Sequence, residues 1–172
     1  QGGIWLSVSK TIVINGLSSD NIKSAVKEIR KYQAWVEQKE TELRVRLASL
    51  GATVASIQFA RAIYNGTNDV VVRVDDTGSV AVIYAEGESV AFIEFGSGAK
   101  YGYGHPQAGE FGVGPGTYSD GPDGKGKWDN PNGWWYGHGQ HSYGNPPAMA
   151  MYGAVQAITE QITKIAKEVF SS

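Results

Sequence analysis

Residues Ser89–Gly98 read SVAFIEFGSG, and the chain changes character on either side of them. Apolar residues at positions 90, 92, 93 and 95 fit either a strand or a short helix, and their spacing alone does not separate the two. The glycines at positions 96 and 98 end the element, since glycine weakens any regular structure. The stretch therefore marks a boundary between a regular region and a glycine-rich one.

Upstream of this stretch, two β-rich runs predict a hairpin. NDVVVRV and GSVAVIYAE are joined by Asp75–Gly78, whose Asp, Thr and Gly residues are typical of a tight connection. Before them, Ser18, Ser19 and Asp20 offer N-cap oxygens to a helix that reaches about Tyr32. A second amphipathic segment follows and continues past Gly51 to about residue 63. At the start of the chain, KTIVIN (Lys10–Asn15) predicts a strand.

Downstream, residues 99–145 form a predicted insertion. Positions 99–144 hold 13 of the 23 glycines, nine of the nineteen aromatic residues and all three histidines. A connection of this length inside a compact domain is expected to be either functional or mobile when the protein is alone. Asn145 followed by Pro146 and Pro147 predicts the start of a last helix that ends near Phe170. We therefore predict one α+β domain, residues 1–172, with long amphipathic helices packed on a small antiparallel sheet.

Composition narrows the function classes. The formal net charge of −2 argues against a protein that binds nucleic acid by neutralising many phosphates. The chain has no cysteine, which excludes disulfides, thiolate metal sites and a cysteine nucleophile. No apolar run reaches the length of a membrane span. We expect neither a cofactor nor a membrane partner.

Several site chemistries fit parts of the sequence. His138-x-x-His141, with Asp129 and His105 nearby, resembles a zinc ligand set, but the flanking glycines do not supply a rigid frame. Glu86, Glu88 and Glu94 are acids of the kind that glycoside hydrolysis uses in pairs, although no hydrolase motif accompanies them. The favoured interpretation is that no metal or catalytic residue is present.

The aromatic stretch Trp128–Gly144 leaves three alternatives open. Its tryptophans are suited to a flat platform for sugars, to anchoring on another protein, or to packing on the chain's own sheet. Composition does not separate these alternatives. The residues in question are Trp128, Trp134, Trp135 and Tyr136.

The order of these elements resembles the tail-component family of long-tailed bacteriophages, whose members complete the tail and join it to the head. The family has a strand and a Gly-Leu turn before its helices, as at Asn15-Gly16-Leu17. Its sharpest motif follows a hairpin and is similar to Ala91–Gly98. A proline-containing start of the last helix follows a variable insertion, and here Pro146-Pro147-Ala148-Met149 stands at that place.

The resemblance implies a non-enzymatic virion protein at the head–tail junction. It implies a homo-oligomeric ring, expected to be hexameric, that contacts the head connector or head-completion protein on one side. On the other side it implies contact with the tail tube or tail terminator protein, around a channel through which DNA passes passively. Such a protein assembles in the cytoplasm of the host bacterium and resides in the virion.

The resemblance also implies roles for single residues. Phe92, Ile93 and Phe95 are expected to anchor the motif in the core, and Gly96 and Gly98 to take turn conformations. Glu94 is either a solvated acid or a functional one, in an intersubunit pair or as a cap. Partner contact is predicted for Trp128, Trp134, Trp135, Tyr136 and Glu94.

Two other functions are alternatives to this one. The first is a carbohydrate- or cell-surface-binding module that uses the tryptophan-rich loop. The second is a cell-wall hydrolase, which would lose its activity on replacement of a particular acid or histidine.

Overall fold

The computed structural model describes residues 9–16, 18–98, 100–101, 104–114, 130–136 and 139–171. Four helices and four strands occur among them. In chain order they are α1 (Ser19–Arg61), β1 (Val71–Asp75), β2 (Val82–Glu86), α2 (Val90–Glu94), α3 (Ala108–Phe111), β3 (Trp134–Tyr136), β4 (Gln140–Ser142) and α4 (Ala150–Ser171). Helices of 43 and 22 residues accompany two antiparallel two-stranded sheets, so the predicted α+β class is confirmed.

Helix α1 is one continuous element, whereas the sequence predicted two helical segments. The predicted continuation past Gly51 is confirmed, since α1 ends at Arg61. Gly51 is buried, and a Cβ atom there would lie 2.6 Å from the side chains of both Ile158 and Ile83. The glycine thus lets other elements pack closely on α1, which offsets its low helix propensity.

The predicted hairpin is confirmed. Strands β1 and β2 pair antiparallel, with Val72 opposite Ala85 and Val74 opposite Ile83. Val72 and Ala85 pack against the hydrophobic core. The predicted strand at Lys10–Asn15 is wrong, because residues 9–15 form no ladder with any part of the chain that the structure describes.

The chain divides into two compact units. In the unit Ala48–Thr159, the core consists of Ala55, Phe59, Ile93, Ala150 and Ala154. The other unit comprises Gln1–Leu47 and Glu160–Ser172, where the rings of Trp35 and Phe170 meet edge to face at 5.9 Å. The single domain predicted for residues 1–172 stays a prediction.

The insertion has a closed base. Ser97 and Asn145 form an isolated antiparallel bridge, in which each backbone N–H donates to the other's carbonyl at 2.9 Å. Gly98 and Gly144 stand next to the bridge with positive φ angles of 82° and 103°, the backbone conformation predicted for Gly98. Their backbones approach so closely that neither has room for a Cβ atom.

Helix α4 begins at Ala150, three residues later than predicted. Asn145 does not cap it, because the Asn145 side chain accepts from the Asn65 N–H at 2.9 Å and donates to Ser97 Oγ at 3.3 Å. Pro146 and Pro147 precede the helix rather than form its first turn. The cap comes instead from Glu94, in α2.

Candidate functional site

Glu94 is a buried carboxylate that caps α4. Its side chain retains 5% exposure, and it accepts hydrogen bonds from the backbone N–H groups of Met151 at 2.9 Å and Tyr152 at 3.0 Å. These groups belong to the first turn of α4, where backbone N–H groups have no partner within the helix. The negative charge also lies at the positive end of the helix dipole. Of the sequence alternatives for Glu94, the structure shows the cap.

His105 completes the shell around this carboxylate. Its Nε2 lies 3.1 Å from Glu94 Oε1, and its side chain is 1% exposed. The Gln107 N–H donates to His105 Nδ1 at 3.1 Å, so Nδ1 acts as an acceptor. Nε2 is therefore the protonated nitrogen, and its N–H donates a hydrogen bond to Glu94 Oε1. The imidazole also contacts the ring of Phe95, with centroids 4.4 Å apart.

Three separate parts of the chain meet at Glu94, namely α2, the turn that precedes α3, and the start of α4. A buried charge is tolerated only where hydrogen bonds replace its hydration, and three donors do so here. A general acid or base must reach the proton of a substrate. Both oxygens of Glu94 face the protein's own donors, so this group serves to hold elements together.

Asp69 positions α2 from the other end. Its carboxylate accepts from the backbone N–H groups of Glu88 at 2.7 Å and Ser89 at 3.0 Å, and from the Ser89 hydroxyl. These bonds, those from Ser89 first, lower the pKa of Asp69 to about 2. The turn that leads into α2 is thus fixed, and with it the place of Glu94.

A cavity of about 180 Å³ lies beneath a second hairpin, which β3 and β4 form. Its polar side chains already bond to one another; for example, Asn65 Nδ2 donates to Ser142 Oγ at 3.0 Å. The volume is below the usual range of small-molecule pockets. The cavity therefore suits an apolar group better than a polar substrate. It is lined by Tyr64, Asn65, Gly66, Phe92, Ser97, Trp134, Ser142 and Asn145.

Strands β3 and β4 separate the two neighbouring tryptophans. Trp134 pairs with Ser142, and both line the cavity. Trp135 pairs with His141 and is 72% exposed. Because successive side chains of a strand point to opposite faces, the hairpin half-buries the Trp134 indole and exposes that of Trp135.

An exposed row of rings continues from Trp135. The centroid of the His141 ring lies 4.7 Å from that of Trp135 and 4.7 Å from that of Tyr143. The Lys100 ammonium lies 5.4 Å from the Tyr143 ring and 5.7 Å from the Tyr101 ring, within the range of cation–π attraction. We call these residues the aromatic row: Lys100, Tyr101, Trp135, His141 and Tyr143.

Other predicted site residues stand as follows. Trp128 and His138 lie outside the described residues, as does the side chain of Tyr136. The His138-x-x-His141 pair is thus seen only through His141. Among the residues that the structure describes, no group of three or more acidic or histidine side chains could hold a metal ion, and no helix is long and apolar enough to cross a bilayer.

Of the three motif residues that were expected to anchor in the core, one is fully buried. Ile93 is buried at 1% exposure, whereas Phe92 and Phe95 are half-buried. Phe92 lines the cavity and Phe95 packs on His105. The pairing of His105 with Glu94 was not predicted, because nothing in the spacing of these residues links them.

No family model, curated protein or solved structure matches the chain. The geometry of the described residues is therefore what bears on function.

Proposed function

We propose that this protein is a non-enzymatic structural protein of a bacteriophage virion, placed at the head–tail junction. It would complete the tail and join the head connector to the tail tube. The resemblance of Ala91–Gly98 and of the order of elements to the tail-component family motivates the proposal. The aromatic row is the structural observation that supports it best.

The aromatic row has the properties of a protein-binding surface. An indole that is 72% exposed is costly in water, and its burial against another chain releases that cost. Trp and Tyr are among the residue types enriched at the centres of interfaces. Ring-to-ring contacts limit the rotamers of Trp135 and Tyr143, so little side-chain entropy remains to be lost on binding.

The buried Glu94–His105 pair supports a structural role over an enzymatic one. This acid and this imidazole lie within hydrogen-bond distance of each other, as catalytic pairs do, yet both side chains are buried. Their hydrogen bonds join α2 to α4. A covered pair of this kind contributes rigidity, which a joint between head and tail requires.

The proposed partners follow from the same assignment. Copies of the chain would form a ring, expected to be hexameric, between the connector and the tail tube or tail terminator protein. Assembly would take place in the cytoplasm of the host bacterium, and the mature location would be the virion. DNA would pass through the ring without specific contacts.

A complementation assay tests this function. Phage particles that lack the protein are supplied with the wild-type chain or with Trp135→Ala, and joined heads and tails are counted by electron microscopy. We expect Trp135→Ala to reduce joining at least about tenfold, since loss of an interface anchor costs 2 kcal/mol or more. Phe111→Ala is the matched control, because Phe111 is an exposed aromatic residue outside the row. Normal joining in the complete absence of the protein would refute the proposal.

The carbohydrate-binding alternative rests on the same exposed indole, since a flat ring of this kind also stacks on sugars. Titration of the purified protein with cell-wall oligosaccharides, followed by tryptophan fluorescence, separates the two. Saturable binding that Trp135→Ala removes, together with unaffected joining, would favour the sugar-binding module.

A further inference from the structure

Two exposed surfaces of this chain are complementary in charge and are both rich in aliphatic side chains. We propose that they form the contact between neighbouring copies, with the first hairpin of one copy on the start of α1 of the next. The inference rests on the proposed ring and specifies which surfaces close it.

The first surface is a groove at the start of α1, which we call the basic groove. Its volume is about 620 Å³, and aliphatic and cationic side chains alternate along it. Ile22 and Val26 are 46% and 41% exposed there, although they stand one turn apart on one helix face. The groove is lined by Ile22, Lys23, Val26, Lys27, Arg30, Lys31 and Ala34.

The segment before α1 adds to the apolar character of this region. Asn21 Nδ2 donates to the Asn15 carbonyl at 2.5 Å and Lys10 pairs with Glu28 at 3.3 Å, so residues 10–15 lie along the first turns of the helix. Val13 and Ile14 remain exposed in this segment. Exposed aliphatic side chains that cluster at the start of a helix are typical of a protein interface.

The basic groove carries uncompensated charge. Residues 9–34 include five basic and two acidic residues. Lys23 pairs with Asp20 at 3.8 Å and Lys31 with Glu28 at 2.9 Å. Lys27 and Arg30 have no acidic partner within the described part of the chain. Two cations are therefore available to a negative surface.

The second surface is the β1–β2 hairpin, which we call the acidic hairpin. Residues 69–88 include five acidic residues and one basic residue. Arg73 pairs with Glu86 at 2.7 Å, and Asp75 accepts from Thr77. The side chains of Asp76 and Glu88 have no partner among the described residues. Its exposed aliphatic residues are Val71, Val74, Val80 and Val82.

A second copy of the chain is the occupant that these features select. Each surface carries exposed aliphatic side chains among the residues that the structure describes. One is basic and the other acidic, which attracts copies to each other and suppresses pairing of like surfaces. Because the two surfaces differ, the contact is heterologous, and repetition of it generates a ring when the rotation from copy to copy closes.

Charge reversal tests the contact in the full-length protein. The groove variant is Lys27→Glu/Arg30→Glu, and the hairpin variant is Asp76→Lys/Glu88→Lys. Self-association is measured by sedimentation equilibrium over a concentration series at low salt. We expect each variant alone to raise the dissociation constant about 100-fold, because like charges then face each other. Lys164→Glu/Lys167→Glu changes the same charges at exposed positions of α4 and is the matched control.

Recombination of the two changes makes the test specific. An equimolar mixture of the groove and hairpin variants restores opposite charges at every contact, as does a chain that carries all four substitutions. We expect both to recover to within about tenfold of the wild-type dissociation constant. High salt should weaken the wild-type association, since exposed charges are screened.

The outcomes separate this inference from the proposed function. A wild-type chain that stays monomeric throughout the series, variants that associate like wild type, or a mixture that does not recover would each overturn the inference. If Trp135→Ala still prevents head–tail joining in those cases, the proposed function stands and the ring contact lies elsewhere. Recovery in the mixture without any effect of the protein on joining would confirm the contact and refute the function.

Discussion

The carboxylate of Glu94 accepts a hydrogen bond from His105 Nε2 at 3.1 Å while it closes the first turn of α4. The two side chains are eleven residues apart in the sequence, and the capped N–H groups lie 57 and 58 residues after Glu94. One buried charge thus fixes the positions of two helices and a turn.

Loss of the Glu94 carboxylate should be costly. In Glu94→Ala, three buried donors lose their acceptor, and each unsatisfied group costs about 1 to 3 kcal/mol. We expect the free energy of unfolding to fall by about 3 kcal/mol or more, as measured by chemical denaturation. Glu160→Ala, at an exposed position of α4, should change it by less than about 0.5 kcal/mol. Equal effects of the two substitutions would contradict the capping role.

The tautomer of His105 is a second prediction. Because Nδ1 accepts from the Gln107 N–H, the proton is expected on Nε2. Long-range ¹H–¹⁵N correlation spectra of the folded protein distinguish the two tautomers directly. The Nε2–H form should be seen for His105, and should persist in Glu94→Ala wherever the Gln107 N–H still donates to Nδ1. A dominant Nδ1–H form would show that the hydrogen-bond direction is reversed.

The contribution of Asp69 should depend on pH. Its folded pKa is lowered from 3.8 to about 2, so its stabilising effect is fully present above pH 3.8 and is lost as the pH falls through about 2. Asp69→Asn should therefore lower the melting temperature at pH 7, and the difference from wild type should shrink below pH 3.8. Asp76→Asn removes an acid that has no partner among the described residues, and should show no such narrowing. A constant gap at all pH values would argue against these hydrogen bonds.

Closure of the insertion base predicts unequal effects of alanine at two glycines. Gly144 and Gly139 both have positive φ angles, but only at Gly144 would the new Cβ atom collide with backbone, at Ser97. Gly139→Ala should cost about 1 kcal/mol of stability for its strained backbone. Gly144→Ala should cost about 3 kcal/mol or more, since the Ser97–Asn145 bridge must open. Thermal unfolding of the two variants gives the comparison.

Alanine substitutions at the two neighbouring tryptophans should separate effects on stability from effects on binding. Trp134 lines the cavity, so Trp134→Ala is expected to lower the free energy of unfolding by about 2 kcal/mol. Trp135 is exposed, and Trp135→Ala should change it by less than about 0.5 kcal/mol. Denaturation curves measure both. A large loss of stability in Trp135→Ala would mean that its effect on joining cannot be assigned to a partner.

The fold was predictable where the signal is local. The first hairpin and the continuation of α1 past Gly51 follow from residue types and periodicity within a short window. The strand at Lys10–Asn15 was wrong because a β-branched run needs a neighbouring strand, and none among the described residues pairs with it. The start of α4 was predicted three residues too early, because its cap is a side chain from α2 while the Asn145 side chain bonds to Asn65 and Ser97.

The candidate site was predictable only in part. Glu94 was predicted to be solvated, in an intersubunit pair or a cap, and its burial and hydrogen bonds show the cap. Its link to His105 depends on how α2, α3 and α4 meet, which no spacing encodes. Likewise, the sequence marks Trp134 and Trp135 as equivalent, whereas the register of β3 with β4 assigns them to opposite faces. Long-range packing supplies the information in both cases.

The bridge between Ser97 and Asn145 pins together the two ends of a long excursion of the chain. Lengthening the segment between Gly114 and Asn130 within it should cost only the slowly growing entropy of a longer loop, about 0.6 kcal/mol per doubling. Foreign sequence added there leaves the contacts of His105 and Ser142 in place, so the helices and first hairpin should stay undisturbed. The same scaffold is thus able to acquire a new recognition cassette by insertion of a single contiguous piece of chain.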